Sequence, residues 1–317
     1  MASLEPLGID IGAARVRVAV AQRAGDCLRI EAVAARDLPP SENDVERSGD
    51  FEAILLEEML EELGVRQRAC VFALGAPDAT LRAAAFPAQM GYWERRAAAR
   101  FESLHDESGD ETSVVRVHAI DRPSHAFVIA AAKEGPLRSR LRAMKKAGLR
   151  VVAVDHDACA LARVMPGFQA IVDVGLRRAR LHVFTTAVPQ SLTALAGGVS
   201  VTQAIAEDLG VETEIAERRK RILGAAGASS ALAACANAIV DLIKKARLAP
   251  PRCSAIAMIG NGARLPGLAD EIAARSGMEV RIPVVDLLRT SPIAHDVLRL
   301  AAPDWTLAAA LATWRAA

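Results

Sequence analysis

A chain of 317 residues is longer than one simple core requires, so two units of comparable size, each with its own buried sheet, are expected. Hydrophobic residues make up 52% of it but aromatics only 3%, so closely packed alanine-rich helices are expected and few bulky anchors. The 39 basic and 38 acidic residues nearly cancel, which excludes a broad electrostatic footprint for nucleic acid, and five cysteines scattered singly exclude the paired spacing of a zinc site.

At the N-terminus, MASLEPLGIDIG shows no basic stretch leading into an apolar run, so no export signal is expected and the chain should stay in the cytoplasm. Gly8 to Val20 then reads as a tight hairpin: a strand carrying Asp10, a turn at Gly12, and a returning arm in which Val16, Val18 and Val20 alternate as on a strand with one buried face. Asp50 precedes a helix with apolar positions Phe51, Ile54, Leu55, Met59 and Leu63, closed by Gly64. From Pro77 to Gly148 the chain changes character. An Arg- and Glu-rich helix near Trp93 to Ser103 and a polar loop, His105 to Thr112, precede two antiparallel strands, Ser113 to Ile120 and Ala126 to Ala131, which together predict a small inserted α+β subdomain. Pro136 opens a helix with Leu137, Leu141 and Met144 on one face and Gly148 at its end.

The strand Val151 to Val154 runs into Asp155, His156 and Asp157. Consecutive residues on a strand cannot all face one ion, so this is not a trio of ligands, although one acid can point into a cleft. Ile171 to Val183 forms a second hairpin, with Asp173, Gly175 and the alternating Ala179, Leu181 and Val183. Gly197-Gly198 leads a helix with Val201, Ile205 and Leu209, stopped by Gly210, and the basic run Arg218 to Arg221 follows beside Glu217. Gly224 to Val240 is uncharged, but it is mostly Ala, Gly and Ser, which predicts a soluble helix and no transmembrane segment. Ile256 to Ile259 reads as a strand, Gly260-Asn261-Gly262-Ala263 as a glycine turn, and Leu268 to Ser276 as a helix ending at Gly277.

The two hairpins superpose without a gap, Gly8 to Val20 on Ile171 to Val183, each placing an Asp two residues before a Gly. An unpaired carboxylate inside a strand is costly. Two at one repeated position suggest carboxylates facing a shared cation or ligand; the alternative is that each Asp bonds its own turn.

In chain order these segments resemble the actin-like ATPases and, within them, the PilM family of type IV pilus assembly proteins, relatives of FtsA. The resemblance is carried by Gly8-Ile9-Asp10-Ile11-Gly12, Lys146-Ala147-Gly148-Leu149 leading to Val154-Asp155, Ala158 to Arg163, and Val172-Asp173-Val174-Gly175. It continues through Gly197-Gly198 to Asp208-Leu209-Gly210, Ala216-Glu217 with Lys220, and Gly260 to Ala263 with Pro266-Gly267-Leu268. It implies an α/β, two-lobed actin-like fold of duplicated ribonuclease-H-like domains with an FtsA-type insertion. The first lobe would span 1–168, with core 4–76 and 149–168 around the insertion 77–148. The second would span 169–317, with core 169–204 and 253–317 around a helical subdomain 205–252.

By the same resemblance ATP and Mg lie between the lobes. Asp10, Gly12 and Arg15 form the first phosphate turn and Asp173, Gly175 and Arg178 the second, and Asp10 and Asp173 hold Mg through water. Gly198, Glu217, Lys220, Gly260, Gly262 and Ala263 surround the nucleoside, and Asp157 orients the attacking water. The implied partners are the N-terminal tail of a PilN-like inner-membrane protein, the pilus or a related secretion machinery, and a second copy of the chain. The protein would then be cytoplasmic and peripheral to the inner membrane.

The chain departs from the family where phosphate turns usually carry Ser or Thr: Ala13 and Ala14 fill the first, Leu176, Arg177 and Arg178 the second. Arg15 and Arg178, at equivalent points, can bind phosphate in place of hydroxyls. Leu307 to Leu311 holds alanines where relatives carry a glycine, which also speaks against turnover. Three readings follow: an ATP-binding assembly protein with weak ATPase activity at most, a nucleotide-free scaffold on the same fold, and, least favoured, a kinase of the sugar-kinase branch.

Overall fold

A computed structural model describes residues 3–24, 27–38, 49–106, 113–121, 126–224, 229–250, 253–285 and 295–314. The first sheet is built from β1 (Ser3–Leu4), β2 (Leu7–Ile11), β3 (Arg15–Ala24), β4 (Cys27–Asp37), β5 (Ala69–Leu74) and β9 (Arg150–His156). Its order is β4-β3-β2-β5-β9, with the short β1 also on β3; the first three strands are antiparallel and β2, β5 and β9 are parallel. The second sheet repeats that order and those senses with β12 (Gln190–Ala194), β11 (Ala179–Val183), β10 (Ala170–Val174), β13 (Ala255–Ile259) and β14 (Glu279–Arg281). The duplication read from two hairpins thus extends to both sheets.

Each sheet carries its own helices. On the first, α1 (Asp50–Glu62) and α3 (Glu134–Lys146) cover a core of Leu7, Ile9, Val16, Val18, Leu56, Met59, Phe72 and Met144. On the second, α5 (Gly198–Leu209), α7 (Ser229–Lys245) and α8 (Leu268–Ser276) cover Val172, Leu181, Ile205, Ile239, Ile256 and Met258, while α6 (Thr213–Leu223) packs on α5. The returning arms of the hairpins are buried on both faces, not on one, because other helices cover the opposite side. There, α4 (Asp157–Val164) and α9 (His295–Leu311) share a core with Ala19, Ala21 and Ile30 of the first sheet and Ile171, Ala257 and Ile259 of the second. No helix among the described residues is long and apolar enough to cross a membrane.

In α1 the apolar positions are only partly those expected. Leu55 and Met59 are buried, but Phe51 and Ile54 face outward, and the inward face is completed by Ala53, Leu56 and Leu60. Leu141 of α3 is likewise exposed while Met144 is buried.

Between β5 and β9 lies the inserted unit, a sheet of order β6-β8-β7 with β6 (Ala79–Ala85), β7 (Ser113–Asp121) and β8 (Ala126–Lys133), covered by α2 (Tyr92–Asp106). Phe86, Ala99, Val115, Val117, Phe127 and Ile129 form its core. Residues 107–112 of the expected polar loop, and the lead-in 225–228 to α7, lie outside the described residues.

Candidate functional site

Both hairpins close the same way: Gly12 N donates to Arg15 O at 3.0 Å, and Gly175 N donates to Arg178 O at 2.9 Å. Antiparallel register then sets Asp10 opposite Arg17 and Asp173 opposite Arg180. Cross-strand neighbours of opposite charge interact, and Arg17 Nη1 donates to Asp10 Oδ2 at 3.2 Å while Arg180 Nη1 reaches Asp173 Oδ2 at 3.5 Å. The repeated aspartates therefore carry repeated counter-ions, which lie two residues beyond the expected phosphate-binding Arg15 and Arg178.

The two turns face one cleft. It is lined by Asp10, Gly12, Arg15, Asp157, Asp173, Gly175, Arg178 and Gly260, all named from the sequence, together with Arg17, Asp78, Arg140, Arg177, Arg180 and Asp304. Five aspartates and six arginines line it, and no serine, threonine or lysine does so among the described residues. Gly198, Glu217, Lys220, Gly262 and Ala263 do not line the cleft but stand beside it. Lys220 Nζ donates to Gly198 O at 2.8 Å and to Glu217 Oε2 at 2.6 Å, so this pair ties α6 to the start of α5. Burial acts against the charge on Glu217, but the bonds from Lys220, Thr202 and Arg221 together outweigh it and lower its pKa. The start of α5 bonds the second turn, Gly198 N to Gly175 O at 3.0 Å and Val199 N to Leu176 O at 2.8 Å.

The glycines have protein neighbours that explain them. A Cβ on Gly260, where φ is 82°, would overlap Asp173 Oδ1, and one on Gly262 would overlap the Val174 side chain. Both are accounted for by close approach to β10, without a ligand.

Arg180 sits at the centre and touches both halves of the molecule. Its Nε donates to Ala76 O at 3.0 Å, just past β5, and lies 3.9 Å from Asp157 Oδ2. Asp157 is buried at the start of α4: its Oδ1 accepts from Ala158 N at 2.8 Å and lies 3.0 Å from His156 Nδ1, while its Oδ2 lies 4.0 Å from His182 Nε2. Burial opposes its charge, but His182, His156 and Arg180 together hold its carboxyl below the ordinary range. Burial pushes His182 down to about 4, so the ring is neutral at pH 7 and the lasting counter-charge is Arg180. A carboxylate held this firmly ionised is a weak proton acceptor. Asp173 is driven the other way, up to about 6, first by burial, with Asp10 and Asp157 adding to it against Arg180. Asp155 points elsewhere and bonds Arg163 Nη2 at 2.6 Å.

Mg does not fit this donor set. Asp173 Oδ2 is 3.5 Å from Arg180 Nη1 and Asp10 Oδ2 is on Arg17; Asp157 Oδ1 accepts from Ala158 N, and its Oδ2 lies 3.9 Å from Arg180 Nε. No group of three metal-capable side chains occurs among the described residues. An anion fits better: Arg15, Arg140, Arg177 and Arg178 border the turns, and guanidinium suits phosphate geometry, although Arg15 is paired with Asp37 at 2.6 Å and Arg140 with Glu52 at 3.6 Å.

Comparison with known proteins agrees with the architecture. A family model described as type IV pilus assembly protein PilM matches residues 8–316. A chain of the PilM-PilN type IV pilus biogenesis complex is 22% identical, with 97% of each chain covered and a TM-score of 0.80. The ethanolamine utilization protein EutJ from Carboxydothermus hydrogenoformans is 14% identical over 98% of this chain and 89% of its own, with a TM-score of 0.62. The sequence has no significant match among curated proteins. The fold is that of the actin-like ATPases.

Proposed function

The chain belongs to the PilM family of type IV pilus assembly proteins, and from that premise we propose that it is a docking component on the cytoplasmic face of the inner membrane, holding the N-terminal tail of a PilN-like membrane protein. The observation that carries this reading is the end-to-end likeness, over 97% of both chains, to a chain of the PilM-PilN complex. The test is calorimetric titration of the purified chain with a synthetic peptide of the PilN-like tail encoded in the same genome. Saturable one-to-one binding is expected. Failure of both the peptide and the full-length partner to bind would end the docking reading.

In this proposal the cleft receives nucleotide phosphates, with ATP the ligand that the resemblance implies, between turns Gly12–Arg15 and Gly175–Arg178. Its bordering arginines support that reading. A second reading, a nucleotide-free scaffold, is supported by the Asp10–Arg17 and Asp173–Arg180 pairs, which satisfy the cleft from within. ATP at about a hundredfold over its dissociation constant should add roughly 2.7 kcal/mol of stability. A rise in thermal midpoint with ATP, lost in Arg178→Ala, selects the first reading; no rise at saturating ATP selects the second.

A further inference from the structure

We propose that Arg17 and Arg180 are the cleft's own counter-ions and replace a divalent cation there, so that the site receives an anionic ligand, and joins its two sheets, without metal. The inference rests on the reading of the cleft as a phosphate site, but it concerns charge balance and is separable from whether ATP is the ligand.

Three observations carry it. First, the pairing is duplicated. Arg17 and Arg180 occupy the same register position of two superposable hairpins, each opposite the aspartate of its own strand pair. Second, the carboxylates are consumed. Asp10 Oδ2 and Asp173 Oδ2 each face a guanidinium, at 3.2 and 3.5 Å, Asp157 Oδ1 accepts from Ala158 N, and Asp157 Oδ2 lies 3.9 Å from Arg180 Nε. A magnesium ion demands oxygen donors in near-ideal octahedral geometry, whereas here guanidinium groups already hold the positions such an ion would neutralise. Third, Arg180 also crosses between the two halves, from β11 of the second sheet to Ala76 O and Asp157 on the first-sheet side. In a cleft closed by a metal-bound ligand that bridge would come from the ligand. Here it comes from the chain.

Burial makes the arrangement hard to undo. The Arg17 side chain is only 8% exposed and that of Asp10 16%. Pulling either arginine aside would leave an uncompensated buried charge, which is strongly unfavourable. An incoming cation must overcome that cost before it gains any ligand.

Manganese serves as a spectroscopic substitute for magnesium. Electron paramagnetic resonance of the wild-type chain with Mn2+, alone and with ATP, is expected to show no protein-bound ion, and ATP is expected to bind equally well in EDTA and in Mg2+. Binding of manganese by the wild-type protein, or ATP binding about tenfold or more tighter with metal, overturns the proposal. Absence of ATP binding in either buffer defeats the phosphate-site reading instead and leaves the decision to the manganese signal. The variant Arg17→Gln with Arg180→Gln frees the carboxylates and should acquire a manganese signal that the wild type lacks; a folded variant without one also overturns the proposal. If that variant does not fold, the wild-type manganese measurement decides alone.

Discussion

Asp173 and His182 lie on paired strands, and burial moves them in directions that oppose each other with pH. The Asp173 carboxyl is raised from 3.8 to about 6, so the folded chain holds a proton there that the unfolded chain releases; stability from this group is present at low pH and is lost as pH rises through 6. His182 is lowered from 6.5 to about 4, so the unfolded chain takes the proton first, and stability is lost as pH falls from 6.5 toward 4. Each group alone would move stability by roughly 3 kcal/mol across that window, with opposite sign, so the two largely cancel. Asp173→Asn removes one side of the balance. Its urea midpoint should fall more steeply than the wild-type midpoint as pH drops from 6.5 toward 4, and parallel curves would refute the assignment. Sequence made Asp173 visible because its position repeats in the first hairpin. Its partner is as legible: counting across a turn closed by Gly175 and Arg178 places Arg180 opposite Asp173. His182 carries no such signal, since its burial depends on α4, which arrives from another part of the chain.

At the scale of elements, helices bounded by glycine were legible and alanine-rich ones were harder to place. α5 and α8 end at Gly210 and Gly277, both left-handed, where the sequence indicates. The strand β6, Ala79–Ala85, was not expected because four of its seven residues are alanine, which is depleted in strands; it forms because β8 pairs with it along its whole length. In α1 many apolar residues and few breaks leave the inward face ambiguous, and the apolar Phe51 and Ile54 face outward. The alanines of α9 have a use the sequence did not disclose. Ala308 and Ala312 lie directly on β2 at Gly8, where an added Cβ would overlap Ala308 O and Ala312 N. Backbone cannot yield as a flexible side chain can, so Gly8→Ala must lift α9 from β2 and should cost about 1–3 kcal/mol or more. Gly12→Ala is the matched control, since its nearest neighbour, Arg15 O, is 3.4 Å away and that contact is at the edge of ordinary packing. Chemical denaturation followed by tryptophan fluorescence compares them directly, because Trp305 and Trp314 sit on or just after α9. Equal midpoints for the two variants would mean that α9 does not seat on Gly8 this tightly.

Across the whole molecule, the two sheets are joined by more than the cleft. α4 and α9 fill a shared core in which Ala19, Ala21 and Ile30 of the first sheet meet Ile171, Ala257 and Ile259 of the second through Leu161, Met165, Ala308 and Ala309. α9 spans His295–Leu311, yet it packs on β2, β3 and α4, all within the first 164 residues. Duplicated sheets suggest units that fold separately, whereas this shared core makes each the cover of the other. Burial of apolar surface stabilises by roughly 25 cal/mol per Å2, and a fragment of residues 1–168 would lose α9 and with it that contribution across the β2–β3 face. Such a fragment should therefore be unfolded or insoluble alone, and co-expression with 169–317 should recover a soluble two-piece complex. Circular dichroism melts of the fragment decide the matter: a soluble fragment with its own cooperative transition would show that the shared core is dispensable.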